Sequence, residues 1–456
     1  MRLLRALLLV AVVGVLATRI ASAPRVLCPS CNVVLVTFDA LRADHLGAYG
    51  YPRPTSPVFD RLAEGSVLFL HNMSQSGSTI SSVPSLLTGR FPHADRILSG
   101  RGLRPGERTL AAVLGEHGYR TLAVIAHEYA RCRWGMCQGF AYTDDDYVAP
   151  EKAERTMDRV EAALDRRARE PFFLWIHVRQ PHSPYDPERA DFERFYAPRP
   201  GEPTYYDDGD RVRWVGRDPL LLRYYRRRGE RPRRYRLERG TRFLTPSMVA
   251  QRRALYDGGV READRALGRL LELLRERGWA DRTVLVLAAD HGERLGEGRL
   301  FGHNDLDSIT LHTPLLVHAP GLRPRRVDAP TMNVDIVPTV LAILGMESGE
   351  RLRGRDAIAP IPADRFQYAE YSKRWVVVQD GFELRRRASG PPELYDLRSD
   401  PAGARDLSER APERVRALRA IRRRIRRESL ARDRGAPDVS VLEQLRALGY
   451  IRGPGS

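Results

Sequence analysis

Unbroken apolar runs alternate with helical patterns over the first three quarters of the chain. The runs occupy residues 33–38, 121–126, 172–178 and 283–289. The clearest helical pattern spans residues 248–277, stops at Gly278 and leads directly into the fourth run. Strands of a parallel sheet that is covered on both faces read as continuous apolar runs. The pattern therefore predicts an α/β fold with a mostly parallel central sheet, whose ligands bind at the carboxyl ends of the strands.

After residue 345 the apolar runs become shorter and mix with polar residues. Short strands are expected at residues 365–368, 375–379 and 393–397, followed by a basic helix at 411–429 and a final short helix at 439–448. Short strands that follow one another without intervening helices favour an antiparallel sheet. We therefore expect a large domain at residues 32–345 and a small C-terminal antiparallel subdomain with terminal helices at 346–456.

Residues 205–243 lose periodicity and gather arginines between tyrosines. A long insertion in a compact domain is often functional. Two interpretations stay open: a solvated charged loop, or an insertion that holds an acidic or phosphorylated part of a substrate.

The first residues have the pattern of a secretory signal. Arg2 and Arg5 precede an apolar run at residues 6–17, and small residues follow at 21–23. We therefore expect residues 1–23 to be a cleaved signal peptide or a retained anchor, and the protein to be exported: periplasmic, secreted, or attached to the membrane through its N-terminus. Export permits disulfides, and the four cysteines fall into two local pairs, Cys28 with Cys31 and Cys132 with Cys137.

Charge adds a preference for anionic ligands. The chain has 75 basic and 58 acidic residues, a formal net charge of +17, and Lys152 and Lys373 are its two lysines. No nucleic-acid-binding module accompanies this charge, so we expect no nucleic-acid partner. A positive surface attracts anionic substrates.

Carboxylates and an imidazole stand where two of the predicted strands end. Asp39 follows the first run, and Asp290 and His291 follow the fourth. Because parallel strands end at one edge of their sheet, these side chains are expected to share a crevice. Hard oxygen ligands with one nitrogen suit a divalent cation.

A hydroxyl-rich stretch at residues 77–90 is expected to open a short helix that ends at Gly89. A hydroxyl at a helix N-terminus lies in a positive potential that favours an alkoxide nucleophile. His177, His182 and His303 follow or end strands of the same sheet, where an imidazole can donate to a tetrahedral anion or protonate a leaving oxygen.

Taken in order, five motifs resemble the sulfatase family of the alkaline phosphatase superfamily. They are NVVLVTFDALRADHLG at residues 32–47, LLTGR at 86–90, PHSPY at 181–185, DHGE at 290–293 and ELYDL at 393–397. The resemblance implies an α/β/α sandwich in which residues 32–345 form the catalytic domain.

The resemblance also implies roles for individual residues. Asp39, Asp290 and His291 are expected to hold one or two divalent ions, Ca, Mg, Mn or Zn, and His182 and His303 to bind the substrate anion. The family's nucleophile stands eleven residues before the arginine of LLTGR, which is Thr79 in this chain and would be a further metal ligand. A slip of one or two residues would select Ser78 or Ser81.

Three departures from the family pattern change the expected chemistry. Thr79 occupies the position of the cysteine or serine that sulfatases convert to formylglycine, so that modification is not expected. Ala40 stands where a second aspartate usually follows the first, and His127 alone is near the position of the usual proton-handling pair.

The resulting hypothesis is a metal-dependent hydrolase of sulfuric or phosphoric esters that uses Thr79 as nucleophile. One alternative is a phosphotransferase of the phosphoethanolamine or glycerophosphate type, which forms a phospho-threonine. The other is an inactive relative that binds anionic glycans or lipids.

Overall fold

The computed structural model describes residues 27–99, 102–147, 151–197, 206–207, 212–213, 246–297, 301–400, 403 and 405–432. The strands are β1 (Asn32–Phe38), β2 (Val67–Phe69), β3 (Asn72–Met73), β4 (Leu98–Ser99), β5 (Gly102–Leu103), β6 (Arg120–Ile125), β7 (Tyr142–Asp144), β8 (Phe172–Val178), β9 (Tyr206–Asp207), β10 (Val212–Arg213), β11 (Thr283–Ala289), β12 (Arg294–Leu295), β13 (Phe301–Gly302), β14 (Leu315–His318), β15 (Arg325–Val327), β16 (Thr331–Met332), β17 (Gln367–Tyr371), β18 (Arg374–Gln379), β19 (Phe382–Arg386) and β20 (Glu393–Asp396).

The α-helices are α1 (Pro57–Glu64), α2 (Thr79–Thr88), α3 (Leu110–Glu116), α4 (Ala153–Arg167), α5 (Arg189–Glu193), α6 (Pro246–Glu276), α7 (Ser308–Leu311), α8 (Ile336–Leu344) and α9 (Pro412–Arg432). Short 3₁₀ turns occupy Ala43–His45, Gly47–Tyr49, Glu128–Ala130, Cys132–Trp134, Ala280–Arg282 and Asn333–Asp335.

The main sheet has eight strands in the order β15-β2-β14-β11-β1-β8-β6-β7. β11, β1, β8, β6 and β7 form a continuous parallel set, and β14 pairs antiparallel with both of its neighbours. Each of the four predicted apolar runs is a strand of this set. The structure thus confirms a mixed, mostly parallel sheet whose central strands end at one edge.

Helices cover both faces of the sheet. Alternate residues of a strand point to opposite sides, so each face of β1 presents apolar side chains to its own helical layer. One face of β1 carries Val34, Val36 and Phe38, and it packs with apolar residues of α1, α4 and α6. The other face carries Val33 and Leu35 and packs with α2, α3 and α8. The three layers form the α/β/α arrangement that the sequence led us to expect.

The C-terminal residues form a separate antiparallel sheet in the order β17-β18-β19-β20. Its strand β19 was missed by the sequence analysis. Asp380 and Gly381 connect β18 to β19 with positive φ values of 52° and 72°, which is the backbone of a tight hairpin turn. The Asp-Gly pair is the signal that could have revealed this strand. Helix α9 lies against the sheet through Leu418 and Ile425.

Both cysteine pairs are joined as disulfides, Cys28 with Cys31 and Cys132 with Cys137. The proposed signal segment at 1–23, most of the insertion at 205–243 and the last helix at 439–448 lie outside the described residues. Within the described ranges, no helix has the length and apolarity needed to cross a membrane.

Candidate active site

The candidate site lies at the carboxyl edge of the central strands. Asp39 directly follows β1, Asp290 and His291 follow β11, and the N-terminus of α2 brings in Thr79. All four side chains are at most 3% exposed. The structure therefore brings together the groups that the sequence placed at two strand ends and one helix start.

Asp39 is the centre of this group. Its Oδ2 lies 2.7 Å from His127 Nδ1 and 3.3 Å from His177 Nε2. Its Oδ1 lies 3.7 Å from His291 Nε2 and has no hydrogen-bond partner among the described residues. Burial opposes ionisation of Asp39, but the neighbouring imidazoles of His127 and His182 outweigh it and hold the pKa of the carboxyl well below its usual range.

Asp290 is held by backbone donors. The N–H of His291 donates to Asp290 Oδ1 at 2.8 Å, and the N–H of Ala40 donates to the same oxygen at 3.2 Å. Ala40, which stands where the resemblance places a second aspartate, has a positive φ of 60° and contributes its backbone amide to this site. Burial and the charge of Asp39 raise the pKa of Asp290 to about 7. Two buried carboxylates of this kind fit a bound cation, which would offset their mutual repulsion.

Thr79 is the first residue of α2, and Ser78 is its N-cap. Thr79 Oγ1 lies 3.1 Å from His291 Nε2 and 3.5 Å from Asp39 Oδ2. His291 Nδ1 lies 2.9 Å from the carbonyl oxygen of Gly292, which can only accept a hydrogen bond. In the neutral ring Nε2 therefore carries no proton and can accept from the Thr79 hydroxyl or bind a metal.

The other two candidate hydroxyls differ from Thr79. Neither Ser78 nor Ser81 has a side-chain hydrogen bond to Asp39, Asp290 or His291 within the described part of the chain. Ser82, which the sequence analysis did not select, donates to Asp290 Oδ2 at 3.4 Å.

His182 and His303 face each other, with their Nε2 atoms 3.1 Å apart. Each Nδ1 is bonded to a backbone carbonyl oxygen, that of Ser183 for His182 and that of Gly77 for His303. Because a carbonyl only accepts, both Nδ1 atoms carry protons, so in the neutral rings both facing Nε2 atoms are open acceptors. Burial lowers the pKa of both rings.

Two further histidines reach Asp39, and sequence reasoning gave neither a place among the metal ligands. His127 lies two residues beyond β6, and His177 is the next-to-last residue of β8. The argument that selected Asp39, a polar side chain at a strand end, applies equally to both and could have found them.

The ligand atoms form two compact groups that share Asp39. One contains Asp39, Asp290 and His291, and the other contains Asp39, His127 and His177; within each group the atoms lie within 4.8 Å of one another. Buried carboxylate and imidazole groups at this spacing have the chemistry of a divalent metal site.

Comparison with known proteins gives a consistent picture. The family model described as Sulfatase matches residues 31–346. Arylsulfatase K of Bos taurus is 24% identical over 439 residues, which cover 85% of this chain and 80% of that protein.

Two solved structures share the fold. Phosphonate monoester hydrolase of Agrobacterium radiobacter superposes with a TM-score of 0.67 at 18% identity, over 88% of this chain and 96% of that one. BT4656, solved in complex with its substrate D-glucosamine-2-N,6-O-disulfate, superposes with a TM-score of 0.71 at 19% identity, over 90% of this chain and 100% of that one.

Proposed function

Because the chain belongs to the sulfatase family of the alkaline phosphatase superfamily, we propose that it is a metal-dependent hydrolase of anionic sulfate or phosphate esters with Thr79 as nucleophile. The observation that carries the proposal is the position of Thr79 Oγ1. It lies at a helix N-terminus, within 3.5 Å of both His291 Nε2 and Asp39 Oδ2. Threonine replaces the residue that would become formylglycine, so the hydroxyl itself is the attacking group.

Asp39, Asp290 and His291 would hold the cation, with Thr79 as an additional ligand. Asp39 Oδ1 is buried and has no hydrogen-bond partner in the part of the chain that the structure describes, which supports this assignment because it leaves an acceptor open toward His291. When bound, a divalent cation lowers the pKa of a coordinated hydroxyl and neutralises charge on the oxygens of the ester.

The chain's own groups account for the remaining steps. Thr79 Oγ1 passes its proton to an Nε2 atom of the facing His182–His303 pair, which carries none while both rings are neutral, and forms a bond to the sulfur or phosphorus while the bond to the leaving oxygen breaks. The same pair then donates that proton to the leaving oxygen. Water then attacks the sulfo- or phospho-threonine, which releases the inorganic anion and restores the hydroxyl.

The relatives set the range of substrates. BT4656 binds a sulfated glucosamine, and the Agrobacterium enzyme is named for phosphonate monoesters. We propose that the substrate of the present chain is an anionic ester within this range. Transfer of the phosphoryl group to an acceptor other than water is the second candidate, since a phospho-threonine can be attacked by either.

An exported location agrees with this function. The proposal rests on the signal-like residues 1–23 and is supported by two disulfides in the domain, because disulfides persist in oxidising compartments. Detection of the mature protein in a periplasmic or secreted fraction would test it.

Turnover tests the proposed function directly. The purified protein is assayed with nitrophenyl sulfate, a nitrophenyl phosphate monoester and a phosphodiester, each with Ca²⁺, Mg²⁺, Mn²⁺ or Zn²⁺. Asp290→Asn should lose both metal binding and turnover. Asp281→Asn is the matched control, because Asp281 is exposed and lies just before the opposite end of the same strand β11.

The outcomes separate the candidates. Full turnover by Asp290→Asn would refute the proposed site. Salt-sensitive binding of anionic glycans or lipids without turnover of any ester would favour the inactive, binding-only alternative. Faster consumption of a phosphoester when an alcohol acceptor is added would favour the transferase.

A further inference from the structure

The outer face of helix α9 is a surface of arginines. Its exposed arginines are Arg416, Arg419, Arg423, Arg424, Arg426 and Arg427. At about 100° per residue they lie within an arc of about 160° around the helix axis. The buried Leu418 and Ile425 point the opposite way and pack on the C-terminal sheet. We propose that this face, the α9 arginine surface, binds a sulfated polysaccharide together with the cavity beside it.

The charges of this surface are not neutralised by neighbouring carboxylates. None of its six arginines forms an ion pair with an acidic side chain within the described ranges, and Glu428 of the same helix is bound to Arg353 at 2.5 Å. Arg423 is four residues from both Arg419 and Arg427, a spacing at which like charges on a helix repel each other. An anionic chain that contacts several of these arginines at once would remove that repulsion.

A cavity of about 380 Å³ continues the surface at Arg424. It is lined by two carboxylates and five arginines: Arg351, Arg353, Arg355, Arg365 and Arg424. Arg353 and Arg365 are held by buried aspartates at 2.7 and 2.6 Å, which fixes their guanidinium groups in place. Arg355 and Arg424 are exposed and have no carboxylate partner in the part of the chain that the structure describes, and Arg424 lies over the ring of Phe366 at 5.4 Å. Because a guanidinium presents a planar fork of donors to an oxyanion, the cavity suits one sulfate group of a longer chain.

The residues of the surface distinguish three kinds of polyanion. A helix that binds a membrane turns its apolar face to the lipid, but that face of α9 is buried on the C-terminal sheet, and none of the described side chains of α9 is both large, apolar and exposed. Single-stranded nucleic acid stacks its bases on aromatic side chains, and residues 412–432 include no aromatic residue. A sulfated polysaccharide requires only positive charge and hydrogen-bond donors. The choice of sulfate rests on the proposed function, in which sulfate esters are candidate substrates, whereas the arginine surface does not depend on it.

The α9 arginine surface is separate from the active site. Arg353 connects α9 to the end of α2: its backbone N–H donates to the carbonyl oxygen of Gly89 at 2.9 Å, and its Nη2 donates to that of Ile425 at 3.1 Å. Gly89 is the C-cap of α2, and Thr79 is the first residue of that ten-residue helix, which is about 15 Å long. A short oligosaccharide bound at α9 therefore leaves the active site accessible to small esters, and binding and turnover can be measured separately.

Calorimetric titration of the full-length protein with a heparin oligosaccharide of defined length tests the proposal. The same oligosaccharide after desulfation, an oligothymidylate and phosphatidylserine vesicles are the comparison ligands. The test variant combines three substitutions on the surface: Arg419→Gln, Arg423→Gln and Arg426→Gln. The control variant removes the same charge from exposed positions on and just after α4: Arg155→Gln, Arg166→Gln and Arg169→Gln.

We expect the wild type and the control variant to bind the sulfated oligosaccharide equally, and the test variant to bind it about 100-fold more weakly. The slope of log K against log salt concentration should be shallower by about 2 in the test variant, because three contacts with the polyanion are lost. The desulfated oligosaccharide should not bind measurably.

Three results would overturn the proposal: no binding by the wild type, equal affinity in the test variant, or an equal loss in the control variant. Tighter binding of the oligothymidylate or the vesicles than of the sulfated oligosaccharide would overturn the choice of polymer. Turnover of nitrophenyl esters should be the same in the test variant and the wild type. A wild type that hydrolyses no ester but binds the oligosaccharide through α9 would contradict the proposed function and leave this surface intact.

Discussion

Replacement of Thr79 by valine tests the proposed nucleophile with little change in shape. Valine puts a methyl group in the place of Oγ1, so packing at this 3% exposed position is preserved. The substitution removes the hydroxyl that lies 3.1 Å from His291 Nε2. It also leaves His291 without that partner, which we expect to cost about 1–3 kcal/mol of folding stability.

The size of the kinetic effect decides the role of Thr79. If Oγ1 attacks the ester, its removal should lower kcat/KM by a factor on the order of 10⁴ or more, since each tenfold corresponds to about 1.4 kcal/mol of transition-state stabilisation. If Thr79 only supports a metal ligand, the loss should be about 10–100-fold. Thr79→Ser keeps the hydroxyl and should lose less than about 100-fold.

The assay is kcat/KM on the ester that the wild type turns over, at saturating metal, with bound metal measured in each variant. Acid quenching during turnover should trap a sulfuryl or phosphoryl group on the peptide that contains Thr79. A valine variant that retains more than about 1% of wild-type kcat/KM would refute nucleophilic attack by this residue. A modified group found on Ser78 or Ser81 would move the assignment to that residue.

Three further predictions address the proton donor, the folded core and the C-terminal helix. His303→Gln should slow esters with poor leaving groups by about 10²–10⁴-fold, but nitrophenyl esters much less, in a comparison of kcat/KM across leaving groups. Burial raises the pKa of Asp264 to about 6, so the native state holds a proton that the unfolded chain loses near pH 4. The free energy of unfolding should therefore fall by up to about 3 kcal/mol as the pH rises from about 4 to 6. Urea unfolding should show this fall in the wild type and not in Asp264→Asn. Arg353 binds the buried Asp95 at 2.7 Å and Ser429 of α9 at 2.7 Å; Arg353→Met should destabilise the protein by about 3–5 kcal/mol in urea unfolding, and equal stability would show that this pair contributes little.

Much of the fold follows from local pattern. A strand covered on both faces needs apolar residues throughout, so β1, β8 and β11 were visible as uninterrupted runs with nearly correct bounds. The small strand β19 was not visible in the sequence, because apolar and polar positions alternate only weakly in Phe382–Arg386 and two of its residues are arginines. Its presence depends on pairing with β18 across the Asp380-Gly381 turn.

The sequence by itself determined which residues stand at strand ends and at the start of α2, because the chain order of apolar runs and polar breaks settles those positions. Asp39, Asp290 and His291 could therefore be selected as candidates from the order of residues alone, whereas Thr79 was selected from the hydroxyl-rich stretch only through the resemblance to the sulfatase family. The distances between these side chains could not be predicted. Thr79 and His291 are separated by 212 positions, and such residues meet only through the order of strands in the sheet.

The tertiary structure alone decided how many groups converge on Asp39. Placing β8 and β6 on one side of β1 and β11 on the other puts His177 and His127 opposite His291, with the carboxylate between them. Local sequence carries no information on which strands become neighbours, because that choice is made by packing of the whole sheet against its two helical layers. The second group of ligands is a product of that choice.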